Sequence, residues 1–420
     1  MSGIVPATAA QQRRVLLAGT VGNIVEWFDW TIYALFAVYF SQEFFPSTNP
    51  FASLLDTFAV FAVGFLARPI GSILLGRISD SRGRRTALTV SILSMATISF
   101  LIALLPTHER IGAAAGVLLV ILRLAQGLSL GGESAAVGAF LVESAPGHGR
   151  GRFGSVYPAT VAVGAILGSV IGLILTSVLT ESQMDTFGWR IPFVVGGLLG
   201  VAGFFIRRGA HEPLDLRLGR DPSPVRRTFT TLRGKAAASF VTVGAAGLSF
   251  FGLIAGFPAL AKFYGVDDQQ AFAANTTGLA VMAVIVPLLG AWSDRIGRKP
   301  ISATGMFGVA LLAVPAVALL SHQQAMAAQL LIIIPSAAMQ SVLLVSVIER
   351  FPTRLRGTGF GLVWALAVAL VGGTGPLIST WLQSRDWAGA FPWYVAAWCL
   401  AAGIVTLFAR ETAFDPLPQD

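Results

Sequence analysis

Charge is the property that this sequence has least of. Of its 420 residues only 12% are charged, whereas 55% are hydrophobic. Soluble domains carry about 25% charged residues, about twice the share found here. A chain with so little charge and so much apolar surface is expected in a lipid bilayer. The single cysteine, Cys399, excludes a disulfide framework. We therefore expect a membrane protein.

Signatures of cofactor chemistry are also missing from the sequence. Gly234 and Lys235 lack the upstream glycine and the following Ser or Thr of a phosphate-binding loop, and no metal-ligand spacing occurs. We expect no cofactor, no metal and no enzymatic activity. Any work that the protein does must then draw on an ion gradient or on the gradient of its own substrate.

Apolar runs of about 17–25 residues, the length that crosses a bilayer as a helix, occur twelve times. The runs are apolar on all faces, which argues against the alternating pattern of membrane strands. We predict an all-α membrane protein with twelve transmembrane helices, near 15–40, 52–75, 86–105, 112–141, 155–179, 190–206, 236–261, 271–292, 301–320, 325–348, 358–382 and 391–409.

Lys and Arg concentrate in every second loop, including the first and last segments of the chain. The other loops hold only Arg110, Arg190, Lys262 and Arg385. Because cytoplasmic loops are enriched in basic residues, both termini are predicted to be cytoplasmic. The net charge of +8 then reflects membrane topology and does not indicate a nucleic-acid partner.

Two phrases occur twice, at equivalent places in the two halves of the chain. G-x-x-x-D-x-x-G-R begins at Gly76 and again at Gly290, and E-x-x-P-x-x-x-R-G begins at Glu143 and again at Glu349. Such repeats indicate a duplicated six-helix unit. We predict six-helix bundles over 1–206 and 236–420, joined by a cytoplasmic linker over 207–235.

The repeated phrases also predict a gate at the cytoplasmic face. Asp80 and Asp294 can each cap a neighbouring helix N-terminus, while Arg84 and Arg298 can pair with Glu143 and Glu349. The alternative is that these loops only carry topology-fixing positive charge. The complete set of gate candidates is Gly76, Asp80, Gly83, Arg84, Glu143, Arg150, Asp294, Arg298, Glu349 and Arg356.

The same loop phrases resemble the signature of the major facilitator superfamily, over essentially the whole chain. Four further stretches resemble its metabolite:proton symporter family: Gly22–Trp30, Arg68–Gly71, Arg123–Glu133 and Gly188–Phe193. That family includes carriers of ketoglutarate, citrate, shikimate and proline or betaine. The resemblance implies a proton-coupled symporter of a small organic acid or zwitterionic metabolite, in a bacterial inner membrane.

Five charged residues fall inside the predicted spans, where charge is costly and usually paired or functional. These residues are Glu26, Asp29, Arg68, Arg123 and Glu133. From their depths we predict two ion pairs, Asp29 with Arg123 and Glu133 with Arg68, with Glu26 as a shared carboxylate. A carboxylate that gains and loses such a partner can couple transport to protons; the alternative is a set of permanent pairs that only fix the helix packing.

The substrate is expected at mid-membrane between the two halves, with Arg123 as a fixed cation for a carboxylate. Depth and residue type add Tyr33, Gln126, Tyr157, Gln340 and Trp364 as contacts. The expected partners are protons, the small-molecule substrate and the lipid bilayer, and we expect a monomer. The alternative functions are a proton-coupled exporter of a drug or secreted metabolite, and a membrane sensor.

Overall fold

The structure, a computed structural model, describes residues 9–82, 84–129, 137–138, 141–143, 145, 149–208 and 224–418. Within these ranges the side chains of 9–19, 76, 79–81, 84–85, 207–208, 224, 354 and 357–358 are not described. The described part of the chain is helical and contains no β-strand.

Nine helices lie in the described part of the first half of the chain. They are α1 (Ala9–Phe44), α2 (Pro50–Arg82), α3 (Arg84–Leu104), α4 (His108–Ile111), α5 (Ala114–Ser129), α6 (Arg150–Gly154), α7 (Val156–Val178), α8 (Glu181–Gln183) and α9 (Arg190–Arg208).

Ten helices lie in the described part of the second half. They are α10 (Pro224–Thr230), α11 (Arg233–Ser249), α12 (Phe257–Phe263), α13 (Asp268–Ile296), α14 (Arg298–Ser321), α15 (Ala325–Ile348), α16 (Thr353–Leu355), α17 (Gly361–Ala367), α18 (Gly375–Gln383) and α19 (Ala390–Phe408).

Many of these helices are long and apolar enough to cross a membrane. Among the described residues nine segments meet that condition, and the bent pair Glu181–Gly188 and Arg190–Ile206 would make a tenth. The predicted all-helical membrane architecture is therefore confirmed. That it has twelve spans, and the domain boundaries at 206 and 236, stay predictions.

Wide π-helical turns interrupt some of the long apolar segments. One such turn, Phe250–Ala255, continues α11, and another, Val368–Gly372, lies between α17 and α18. All six residues of Phe250–Ala255 are buried in the protein, where irregular backbone is tolerated at membrane depth. The turn directs Phe250 and Phe251 towards α1 of the other half, since both rings contact Trp27.

The two halves meet along two reciprocal helix pairs. The fifth predicted span of the first half, α7, packs along α13, the second predicted span of the other half. In the same way α2 packs along α17 and α18. Helix α1 packs on α2, α7 and α9, which places its charged residues Glu26 and Asp29 in the protein interior.

Candidate functional site

Asp29 is the centre of a buried polar network that joins α1, α3 and α5. Its Oδ1 accepts a hydrogen bond from Ser99 Oγ and its Oδ2 accepts one from Gln126 Nε2. Gln126 Oε1 in turn accepts from Arg123 Nη1. A carboxamide can bridge an arginine and a carboxylate in this way because it has both an acceptor and a donor end.

The predicted contact between Asp29 and Arg123 is therefore indirect. The described residues contain no ion pair between them, because the Gln126 side chain lies in between. Sequence reasoning estimated depth correctly enough to bring both residues into one network, but it could not resolve which side chain fills the space between them. Gln126, predicted as a substrate contact, forms hydrogen bonds to both Asp29 and Arg123.

Aromatic rings surround the Arg123 guanidinium. Its central carbon lies 4.0 Å from the centroid of the Tyr33 ring and 4.5 Å from that of Trp30. Such contacts stabilise a desolvated cation through the ring quadrupole. Nε and Nη2 of Arg123 are buried and have no hydrogen-bond partner among the described residues, so the group keeps unused donors.

Arg68 forms a second buried pair, with Glu26 on α1. Its Nη1 lies 3.6 Å from Glu26 Oε1, and its central carbon lies 4.2 Å from the Trp30 centroid. The Trp30 ring thus contacts both buried guanidinium groups. Glu133, the predicted partner of Arg68, lies outside the described residues. Glu26, which was predicted to share in these pairs, is the carboxylate that the structure places beside Arg68.

A central cavity of about 40 Å³ lies between the two halves. Its lining contains no charged side chain among the described residues and is rich in aromatic rings. The polar and aromatic side chains that line it are Trp27, Tyr157, Phe250, Phe251, Gln340 and Trp364. A space of this size holds a few water molecules and is too small for a metabolite without helix movement.

The predicted substrate residues divide into two groups. Tyr157, Gln340 and Trp364 line the central cavity, whereas Arg123, Tyr33 and Gln126 do not. Sequence reasoning missed the walls formed by Trp27 and by the π turn at Phe250 and Phe251. An aromatic residue in an apolar run gives no sign of whether it faces a cavity, the core or lipid.

Asp294 joins the two halves at the end of the molecule that carries the repeated loop phrases, which we call the motif face. Its carboxylate accepts hydrogen bonds from the backbone nitrogens of Gly151 and Arg152, at 2.7 and 2.9 Å. These N–H groups begin α6, where the helix dipole favours a negative charge. The motif glycine Gly290 permits the approach, since a Cβ there would lie 2.9 Å from Gly151 O and closer still to Ser155.

The two copies of the E-x-x-P-x-x-x-R-G phrase form salt bridges with each other. Arg150 Nη1 lies 3.1 Å from Glu349 Oε1, and Arg356 Nη1 lies 2.9 Å from Glu143 Oε1. Each glutamate therefore binds the arginine of the other copy. Glu349 also contacts Arg298 at 3.4 Å. Burial raises the pKa of Glu349 above its ordinary value, although the neighbouring arginines oppose that effect.

Part of the predicted gate falls outside the description. Gly83 is not among the described residues, and for Gly76, Asp80 and Arg84 only the backbone is described. The gate geometry reported for Asp294 and Arg298 therefore belongs to the second copy of the G-x-x-x-D-x-x-G-R phrase.

The C-terminal segment, residues 409–418, crosses the same face. Glu411 accepts hydrogen bonds from the backbone nitrogens of Arg298 and Lys299 at 2.9 and 3.0 Å, which caps α14. Arg150 donates to the backbone oxygens of Ala413 and Asp415. Burial acts to raise the pKa of Glu411, but its backbone hydrogen bonds outweigh burial and lower it. The hydrogen bonds to ionised Glu411 therefore stabilise the folded protein above the ordinary carboxyl pKa. This stabilisation is lost as the pH falls through the lowered pKa.

The halves also meet at the opposite end of α13. Tyr39 donates to Asp268 Oδ2 at 2.8 Å, and Lys262 Nζ lies 3.0 Å from the same oxygen and 3.5 Å from Glu181. Tyr39 and Glu181 belong to the first half, whereas Lys262 and Asp268 belong to the second. Polar contacts between the halves are thus present at both ends of the molecule.

Comparisons with known proteins match this architecture along the whole chain. Residues 15–212 match the model of the family "Sugar (and other) transporter", and residues 239–419 match that of the "Major Facilitator Superfamily". The alpha-ketoglutarate permease of Escherichia coli strain K12 is 33% identical, over 96% of both chains. The citrate-proton symporter of Klebsiella pneumoniae is 32% identical, over 95% of this chain and 92% of its own.

The likeness extends to solved structures. A partially occluded inward-open structure of the xylose transporter XylE from E. coli superimposes with a TM-score of 0.78, covering 97% of this chain and 100% of that one. At 17% identity this match shows the fold alone. With the two whole-length relatives, it confirms the family expected from the loop phrases: the chain belongs to the major facilitator superfamily of membrane transporters.

Proposed function

We propose that this protein is a proton-coupled symporter that carries a small organic acid or zwitterionic metabolite across a bacterial inner membrane. It would do so with twelve transmembrane helices in two bundles and with both termini cytoplasmic, so that the motif face is the cytoplasmic face. The relatives that cover the whole chain are transporters by name, and one is named as a proton symporter. The observation that carries the proposal is the buried network of Asp29, Gln126 and Arg123. Asp29 lies on α1, the helix that also carries Trp27 of the central cavity wall.

Charge balance explains how this network would couple a proton to an anion. With Asp29 ionised, its charge offsets that of Arg123 through Gln126. Protonation of Asp29 would leave the buried cations in excess, and a substrate carboxylate would then restore neutrality. Because each ligand improves the site for the other, proton and substrate would bind together, which is the thermodynamic requirement for symport.

Arg68 is the cation best placed for that carboxylate. Its central carbon lies 5.9 Å from the ring of Trp27, a wall of the central cavity, and its Nε and Nη2 are buried without a hydrogen-bond partner in the described part of the chain. Arg123, which the sequence predicted as the substrate anchor, would not contact the substrate. It would act by offsetting the charge of Asp29 through Gln126.

Alternating access would open one end of the molecule while the other stays closed. At the motif face the closing contacts would be the hydrogen bonds from the start of α6 to Asp294. The salt bridges Glu143–Arg356 and Glu349–Arg150 would close the same face. At the other end they would be those that Asp268 makes with Tyr39 and Lys262. The cavity, too small for substrate, would enlarge as either set breaks.

The direct test is uptake into proteoliposomes with an imposed pH gradient, acidic outside. A panel of dicarboxylates, tricarboxylates and betaine-like zwitterions would be screened first by thermal shift on the purified protein. We expect one class to accumulate, and a protonophore to abolish the accumulation. Substrate loss from preloaded vesicles under the same gradient would instead indicate the exporter.

Asp294→Ala should loosen the motif face. The variant removes a charged acceptor from two backbone N–H groups of α6. This weakens the closed state by about 1–3 kcal/mol and shifts the opening equilibrium roughly five- to 150-fold. The measurement is the alkylation rate of a Leu344→Cys reporter in the cavity wall, in a Cys399→Ser background, together with the transport rate. We expect faster alkylation and slower transport.

Asp267→Ala is the matched control for this experiment. Asp267 caps α13 within its own half by accepting from Gln270 N at 3.2 Å, so its loss removes a helix cap without touching the contact between halves. Both rates should stay near wild type in the control. If Asp294→Ala also alkylates and transports like wild type, the contact does not hold the face closed.

A further inference from the structure

A second cavity, of about 640 Å³, opens at the motif face between the start of α11 and the end of α19. Gly234 and Lys235 form one wall, and Ile404 and Phe408 form the other. Arg350, which follows α15, also lines it, and so does the C-terminal segment. It shares no lining residue with the central cavity, so it is not part of the proposed substrate site.

The lining of this second cavity has an excess of positive charge. Its ionisable side chains are Arg150, Lys235, Glu349, Arg350, Arg410 and Asp415. Both carboxylates already have basic partners, because Glu349 lies 3.1 Å from Arg150 and Asp415 lies 3.1 Å from Arg410. Among the described residues, Lys235 and Arg350 form no salt bridge with a carboxylate, although the charge of neighbouring Glu349 acts on Arg350.

Arg350 carries the clearest sign of a missing ligand. Its Nη1 is fully buried and has no hydrogen-bond partner among the described residues. A buried charged donor without an acceptor is costly, and an anion in the adjoining cavity would remove that cost. A phosphate suits a guanidinium especially well, because the two groups can form parallel hydrogen bonds.

The outer edge of the cavity is apolar. Ile404 is 44% exposed and Phe408 is 87% exposed, both at the end of the apolar helix α19. Exposed apolar side chains on a membrane-crossing helix face acyl chains. The cavity therefore combines buried positive charge with a lipid-facing wall, at the level where a membrane helix ends and phospholipid headgroups lie.

We propose that this cavity binds an anionic phospholipid of the phosphatidylglycerol type. The phosphate would lie against Arg350 and Lys235, and the acyl chains would follow Ile404 and Phe408 into the bilayer. Because Arg150 and Glu349 form part of the cavity wall, the bound lipid contacts the ion pairs that join the halves.

The test is native mass spectrometry of the full chain after extraction from vesicles of equal phosphatidylglycerol and phosphatidylcholine. The wild type should retain phosphatidylglycerol in excess. Arg350→Gln and Lys235→Gln should each lower that preference about fivefold, which corresponds to about 1 kcal/mol per basic residue. Arg226→Gln, an exposed charge on α10 that does not line the cavity, should keep the wild-type preference.

The outcomes separate a built lipid site from general attraction. An unchanged preference in both Arg350→Gln and Lys235→Gln overturns the proposal, and so does an equal loss in Arg226→Gln. Release of the lipid by millimolar inorganic phosphate would show a site for soluble anions and would overturn the lipid assignment. If Arg350→Gln does not fold, the exposed Lys235 still decides the question, because its replacement disturbs no buried group.

Discussion

Asp29→Asn should abolish proton-driven accumulation while leaving exchange of substrate for substrate intact. With one proton per substrate, a gradient of two pH units can sustain roughly hundredfold accumulation, because each unit contributes about 1.4 kcal/mol. The amide keeps a carbonyl oxygen for Gln126 or Ser99 but cannot lose a proton, so it holds the network in its protonated charge state. The accumulation ratio should fall to about one, with counterflow retained, both measured in proteoliposomes.

Ser99→Ala is the matched control, because it removes the other hydrogen bond to Asp29 and leaves the charge. It should still accumulate substrate. If exchange and accumulation fall together in Asp29→Asn, with a lower unfolding midpoint, the carboxylate is structural. If Asp29→Asn still concentrates substrate, the coupling residue is elsewhere, and Glu133→Gln and then Glu26→Gln become the variants to measure.

The features that sequence predicted best are those with a long or repeated pattern. Apolar runs long enough for a bilayer identified the helical membrane architecture, and the loop phrases identified the family. The spacing of Gly290 and Asp294 has one geometric reason. Gly290 allows the first turn of α6 to lie close to α13, and Asp294, one helical turn later, accepts hydrogen bonds from the backbone N–H groups of α6. A contact of this kind requires specific residues at a fixed spacing, so the sequence alone can predict it.

Contacts that depend on which side chains meet were predicted less well. Depth along a helix placed Asp29 and Arg123 together but could not show that Gln126 separates them, because rotation and tilt of each helix decide the neighbour. The exchange of Glu143 and Glu349 between the halves was likewise not predicted, since it requires knowing how the bundles face each other. The C-terminal segment has no periodicity, so nothing in its sequence indicated that Glu411 caps α14.

The two halves of the chain, which are predicted to be copies of one unit, differ in the charge inside their predicted spans. The position that corresponds to Arg123 in the second half is Gln329, which is buried and donates to Asn275 Oδ1 at 2.7 Å. The second half thus places a neutral carboxamide at the position where the first half places the guanidinium of Arg123. The neutral residue at this position is consistent with the proposal that the charge of Arg123 serves transport.

Arg123→Gln should nevertheless be strongly destabilising, because Asp29 would lose the positive charge that offsets its own. The Arg123 side chain is fully buried, and removing one member of a buried charge network leaves the other uncompensated, at a cost of about 3–5 kcal/mol in the free energy of unfolding. The measurement is reversible unfolding in detergent micelles, with transport assayed beside it. Arg123→Lys should restore part of the stability, because it keeps the charge but loses the planar donor fork that reaches Gln126.

The double variant Arg123→Gln with Asp29→Asn separates stability from coupling. It removes both charges and leaves carboxamides in the first half, like the pair Gln329 and Asn275 in the second. The double variant should be more stable than the sum of the two single effects predicts, by about 1–3 kcal/mol in the free energy of unfolding. The reason is that no uncompensated charge of this pair remains buried. Accumulation driven by protons should nevertheless stay lost. A double variant that regained accumulation would show that this network only stabilises the bundle, and additive destabilisation would show that Gln126 does not connect the two charges.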